Sequence, residues 1–92
     1  MGFKRKGVFF VYIIQCIDGS YYTGYTNDLE RRIKEHNRGK GSKYVRGKRP
    51  VTLVYARSYG YYKNALRGER EIKKLERKKK EDLVKSYANI NF

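Results

Sequence analysis

The stretch from Val8 to Ile17 constrains this chain more than any other. It is a nearly unbroken apolar run, rich in β-branched and aromatic side chains. At ten residues it is far too short to cross a bilayer. A strand at a wetted surface alternates apolar and polar residues, whereas an uninterrupted one needs cover on both faces. The run therefore reads as the central strand of a small sheet with packing on either side. Asp18-Gly19-Ser20 is a turn signal, and Tyr21 to Thr26 reads as the returning strand. With 92 residues in all, one domain is expected, its core spanning about residues 8–87 with short tails at both ends.

The remaining elements follow from periodicity and capping. Asn27 reads as a helix cap, with Glu30 three residues on completing a capping box. Leu29, Ile33 and His36 then share one helical face, and Asn37-Arg38-Gly39 stops the helix. Residues 38–50 read as a loop, too basic to bury. Val51 to Arg57 is a third strand, a second helix is expected over 61–78, and a short third helix over 81–87 docks through Leu83, Val84 and Tyr87. The expected class is α/β (α+β), a small, mainly antiparallel three-stranded sheet flanked by helices in the order β-β-α-β-α-α.

Charge is distributed unevenly. Lys and Arg number 23 against nine Asp and Glu, giving +14. Such a surplus raises the question of disorder, but 10 Tyr, 4 Phe and a single Pro argue for a packed core. The first thirty residues are neutral. Residues 31–49 then hold nine basic side chains against Glu35 alone. A patch of this kind favours a polyphosphate or an anionic surface. Arg31, Arg38, Lys40, Lys43, Arg46, Lys48 and Arg49 suit backbone contact, and the interleaved Tyr44 suits base stacking. The single Cys excludes an intramolecular disulfide and a Cys-rich zinc site, and fits a reducing compartment. Lys4-Arg5-Lys6 before the apolar run looks like the start of a secretion signal. Gln15-Cys16-Ile17-Asp18, however, offers no small-x-small cleavage pattern, so a cytoplasmic protein off the membrane is expected.

Three features break the local rules. Projected at 100° per residue, Glu69 falls about 40° from Ala65, inside the apolar stripe of the second helix. A carboxylate there needs an ion-pair partner such as an Arg, a proton or a metal. Arg32 and His36 stand at i and i+4, so they are neighbours on the first helix. Tyr12 and Tyr22 lie on paired strands. A two-residue turn would point them to opposite faces, and a three-residue turn to the same face.

The order and spacing of these residues carry a resemblance. Val11-Tyr12-Ile13, then Tyr22-Thr23-Gly24, then Arg32 and His36, then Glu69 within Ala65-Leu66-Arg67-Gly68-Glu69, resemble the GIY-YIG nuclease family. The likeness runs from about Phe9 to Lys85 and is most specific over Tyr22 to Asn37. It looks like small single-domain, uncharacterised members and like the nuclease domain of structure-specific endonucleases. Phe10, Thr23 and Tyr25 depart from the family pattern, and the family's late asparagine has no counterpart at the expected spacing.

The resemblance implies a metal-dependent endonuclease that hydrolyses DNA phosphodiester bonds at branched or damaged structures, in DNA repair. Tyr12, Tyr22, Arg32, His36 and Glu69 would be catalytic. Glu69 would hold one Mg²⁺ or Mn²⁺, and Gly24 would let DNA approach a bare backbone. Nucleic acid, most simply DNA, is the expected partner of a monomer, and so short a chain leaves targeting to a partner protein. The competing expectation is a non-catalytic nucleic-acid-binding module on the same fold.

Overall fold

The computed structural model describes residues 6–91; the expected N-terminal tail over 1–5 lies outside them. Three strands, β1 (Lys6–Gln15), β2 (Tyr21–Thr26) and β3 (Thr52–Tyr61), form one antiparallel sheet in the order β2-β1-β3. Four helices accompany them: α1 (Leu29–Asn37), α2 (Lys43–Arg46), α3 (Tyr62–Lys73) and α4 (Arg77–Asn91). Apart from the short α2, the order is β-β-α-β-α-α. No helix among the described residues is long and apolar enough to cross a membrane.

β1 is central and covered on both faces, as an unbroken apolar run requires. Val11, Tyr12, Ile13 and Ile14 are all fully buried. Strand alternation divides them between two half-cores. Phe9, Val11 and Ile13 pack with Ala65 and Ile72 of α3, with Leu83 and Val84 of α4 against the same cluster. Tyr12, Ile14 and Cys16 pack with Val45 and Val51, with Leu29 and Ile33 of α1 alongside.

The hairpin settles the face of the two tyrosines. Cys16 N–H donates to the Ser20 carbonyl at 2.8 Å, closing a three-residue turn, Ile17-Asp18-Gly19. Gly19 takes φ +87°, the left-handed conformation that such a turn assigns to glycine. Asp18 accepts from the Ser20 N–H and hydroxyl at 3.0 and 2.6 Å. The register pairs Tyr12 with Gly24 and Ile14 with Tyr22. Tyr12 and Tyr22 therefore point to one face.

Several boundaries differ from the sequence expectation. The cap of α1 is Asp28, whose side chain accepts from Arg31 N–H at 3.1 Å, and not Asn27. β3 continues to Tyr61 because the early residues of β1 extend its pairing partner. The long second helix breaks after Lys73, and α4 starts at Arg77, which lets Leu83 and Val84 fold back onto the sheet. Residues 88–91, expected to be a tail, continue α4.

The basic segment 38–50 holds the largest difference. It contains α2, capped by Ser42, whose hydroxyl oxygen accepts from Tyr44 N–H at 3.1 Å. Its Val45 is fully buried. Asn37 ties the segment's end to α1, accepting from Val51 N–H at 2.7 Å and donating to the Val51 carbonyl at 3.3 Å. Ile17 N–H donates to the Lys48 carbonyl at 3.0 Å. One apolar side chain and a few backbone bonds suffice to dock a segment whose charges all stay outside. Val45→Ala is expected to cost about 2 kcal/mol in urea unfolding. Lys43→Ala, two residues earlier and exposed, should stay within about 0.5 kcal/mol of the parent.

Candidate active site

The even-numbered face of β1 and β2 presents Tyr12 and Tyr22 toward α1. His36, buried in the last turn of α1, meets both. Tyr12 Oη and His36 Nε2 share a buried hydrogen bond of 2.8 Å. The Tyr22 ring stands edge-on to the same imidazole, with centroids 5.4 Å apart. Two glycines make this packing feasible. A Cβ on Gly24 would lie 2.6 Å from Tyr12 Oη, so the tyrosine fills the space that the glycine leaves. A Cβ on Gly41, in the basic segment, would overlap His36 Nδ1. That nitrogen is buried without a hydrogen-bond partner among the described residues.

The electrostatics follow from this burial. Desolvation pushes Tyr12 up to about 12, the neighbouring Arg32 guanidinium opposes the rise, and the charges of Tyr22 and Glu69 add to it. Burial likewise lowers His36, with the Arg32 charge in support and Glu35 against. His36 is thus a neutral imidazole at pH 7, and Tyr12 is a neutral phenol.

Arg32 lies on α1 beside Tyr12, about one-third exposed, and donates from Nη1 to Glu35 at 3.1 Å. Glu69 belongs to α3, which packs on the other side of the sheet from Tyr12 and Tyr22, and its charge is felt at Tyr12. Its side chain is only 14% exposed and pairs with Lys73 at 3.5 Å through Oε2. The sequence anticipated an Arg for this pair; the helix supplies a Lys one turn on. Among the described residues no three His, Cys, Asp or Glu side chains cluster to hold a metal. A single sheltered carboxylate whose charge is felt at Tyr12 is still compatible with Mg²⁺. That ion keeps most of its waters and takes one or two carboxylates plus substrate phosphate.

The basic segment is distributed otherwise than a uniform phosphate clamp. Arg31, Arg38, Lys40, Lys43, Arg46 and Arg49 are exposed. Arg46 and Arg49 already donate to main-chain carbonyls, of Gly39 at 3.2 Å and of Arg46 at 2.7 Å. Tyr44 stacks on Tyr22 with centroids 5.9 Å apart, and the Lys48 ammonium sits 3.8 Å from the Tyr44 ring centre. Lys48 also pairs with Asp18 at 3.6 Å. Hydrogen bonding from Ser20 and Lys48 pulls the Tyr44 hydroxyl below the ordinary tyrosine range. Tyr44 is thus exposed, with one ring face stacked on Tyr22. Sequence reasoning missed Gly41, Val45 and Asn37 as parts of the site's framework. Only the Gly-rich spacing after His36 hinted at a close approach.

Two strands and the first helix thus bring two tyrosines, an Arg and a His together, with a sheltered carboxylate on a later helix. Residues 8–82 match the family model of the GIY-YIG catalytic domain. The UPF0213 protein HQ_3675A of Haloquadratum walsbyi is 49% identical over 82 residues, 89% of this chain and 92% of that protein. The UPF0213 protein YazA of Bacillus subtilis is 48% identical over 80 residues, 87% and 81% of the two chains. The solution NMR structure of the UPF0213 protein BH0048 from Bacillus halodurans shares 51% identity. It covers 85% of this chain and 83% of its own, with a TM-score of 0.56. The chain belongs to the GIY-YIG nuclease superfamily.

Two outcomes follow from the packing. Gly24→Ala forces a methyl into a fully buried tyrosine and should destabilise by about 1–3 kcal/mol in chemical denaturation. Gly60→Ala, where a Cβ meets nothing within 4 Å, should not. His36 has a lowered folded pKa, so its contribution is present above the unfolded value of about 6.5 and fades as pH falls toward the folded one. Tm should therefore drop more between pH 7.5 and 5 than in a His36→Gln variant.

Proposed function

We propose that the chain is a metal-dependent endonuclease that hydrolyses DNA phosphodiester bonds, with branched or damaged DNA as its preferred substrate. The observation that carries this reading is the convergence of Tyr12, Tyr22 and His36 on one face, with Arg32 beside them and Glu69 within electrostatic reach. A pure binding module has no use for Glu69, because a carboxylate repels phosphate.

In this mechanism each group has a separate task. Arg32 binds a non-bridging oxygen and stabilises the charge that grows there. Tyr12, held protonated by burial, is a fixed hydrogen-bonding group and not the base. Tyr22 is the residue whose phenolate form would accept the proton of the attacking water and become the neutral phenol, its ring held between His36 and Tyr44. Glu69 would hold Mg²⁺ or Mn²⁺, which would supply neutralisation of the charge on the phosphate and the leaving oxygen. His36 keeps Tyr12 in place. The exposed cations at Arg31, Arg38, Lys40 and Lys43 serve the flanking backbone, and Lys48 acts through Tyr44. A monomer acting in the cytoplasm, guided to its substrates by a partner protein, completes the reading.

The test is incubation with nicked, flapped, forked and four-way DNA, and with RNA, in Mg²⁺ or Mn²⁺ and then with chelator. Cleavage should be lost with chelator and in Glu69→Ala. Arg32→Ala should slow it by about 10²–10³-fold. Cleavage that survives Glu69→Ala, or binding with no cleavage in either metal, overturns the assignment.

A further inference from the structure

Arg32 is paired in this structure, and its partner is informative. The Glu35 carboxylate lies 3.1 Å from Arg32 Nη1 and 3.8 Å from Arg31 Nε. All three line a cleft of about 370 Å³ beside the tyrosine site. The same cleft is lined by Phe9, Tyr25 and Tyr62. These rings pack edge to face, with the Phe9–Tyr62 centroids 5.6 Å apart and the Tyr25–Tyr62 centroids 5.7 Å apart. The Tyr25 and Tyr62 hydroxyls meet at 3.1 Å. One concavity therefore joins an aromatic surface to two guanidiniums, and an anion is already held between them.

A carboxylate offers two oxygens and a single negative charge, as the non-bridging oxygens of a phosphodiester do. Guanidiniums bind both groups through the same parallel hydrogen bonds. Glu35 and Arg32 are each about one-third exposed. Ion pairs this wet are weak, so the Glu35 side chain can rotate to solvent without moving α1. The aromatic lining suits the flat, apolar face of a nucleobase.

We propose that this cleft seats the nucleotide next to the scissile phosphate, and that Glu35 occupies its phosphate position until a strand arrives. This rests on the nucleic-acid reading above but does not require cleavage. Glu35 thereby discriminates against weakly bound anions, since any ligand must outcompete a tethered carboxylate for Arg31 and Arg32.

The test is an NMR shift titration with thymidine 3′,5′-bisphosphate, and separately with inorganic phosphate, in chelator so that nothing is cut. The nucleotide should perturb the amides of Tyr25, Arg31, Arg32 and Tyr62. Glu35→Gln should bind it about three- to fivefold more tightly, the release expected of a partly exposed ion pair. Glu30→Gln removes an equivalent charge, paired with Lys34 at 3.2 Å but outside the cleft, and should leave affinity unchanged. Arg31→Gln should weaken both ligands, and Tyr25→Leu only the nucleotide. The proposal is overturned if Glu35→Gln binds no more tightly than the parent. It is equally overturned if Glu30→Gln tightens binding as much, or if the shifts map elsewhere. Inorganic phosphate binding as well as the nucleotide, with Tyr25→Leu silent, overturns the nucleotide assignment. A protein that binds here yet never cuts DNA refutes the catalytic reading and leaves the cleft standing.

Discussion

The buried bond between Tyr12 and His36 is the constraint on which the rest of the site depends. Both side chains are fully enclosed, and their mutual hydrogen bond satisfies the Tyr12 hydroxyl and His36 Nε2, leaving Nδ1 as the buried atom without a partner among the described residues. The bond fixes α1 against the central strand. Arg32, one turn before His36 on the same helix, is thereby placed beside the Tyr12 hydroxyl. The three-residue turn then sets the phase of β2, so Tyr22 arrives on the same side. Glycine at 24 and at 41 is the steric condition for this arrangement, because each leaves room for one of the two bonded rings.

Much of this arrangement is visible in the chain itself. An apolar run that does not alternate can only be a covered strand, and β1 is one. Glu69 stands out because a helix stripe should be apolar there, and its side chain is indeed sheltered. The phase of Tyr22 relative to Tyr12 was open, since composition cannot count the residues in a turn; the Cys16–Ser20 bond and Gly19 decide it. Residues 38–50 were least legible. Local reading treats a dense row of cations as solvated, which is correct for nearly all of them. It cannot show that one valine among them is the anchor, because a lone apolar residue has no period.

The positive charge consequently divides into two populations. Some cations are directed outward and available to a polyanion. Others, such as Lys48, Arg46 and Arg49, are turned back onto Tyr44 and onto main-chain carbonyls, where they hold the segment in shape.

The docking of the basic segment has a consequence for how the site comes into being. Tyr12 and Tyr22 come from two strands, Arg32 and His36 from the first helix, Gly41 and Tyr44 from the segment after it, and Glu69 from a helix beyond the third strand. Residues more than thirty positions apart, from Tyr12 to Tyr44, must all be in place before the Tyr12–His36 pair is dry and Tyr22 is held. Detachment of residues 38–50 alone would wet that pair while the sheet stayed whole, a local opening of the kind that proteins sample well below their global unfolding free energy. The packing of Tyr12, His36 and Tyr22 is therefore a property of the finished fold. A chain still emerging, or one that has lost this single segment, holds its tyrosines and its carboxylate without the geometry that makes them a site.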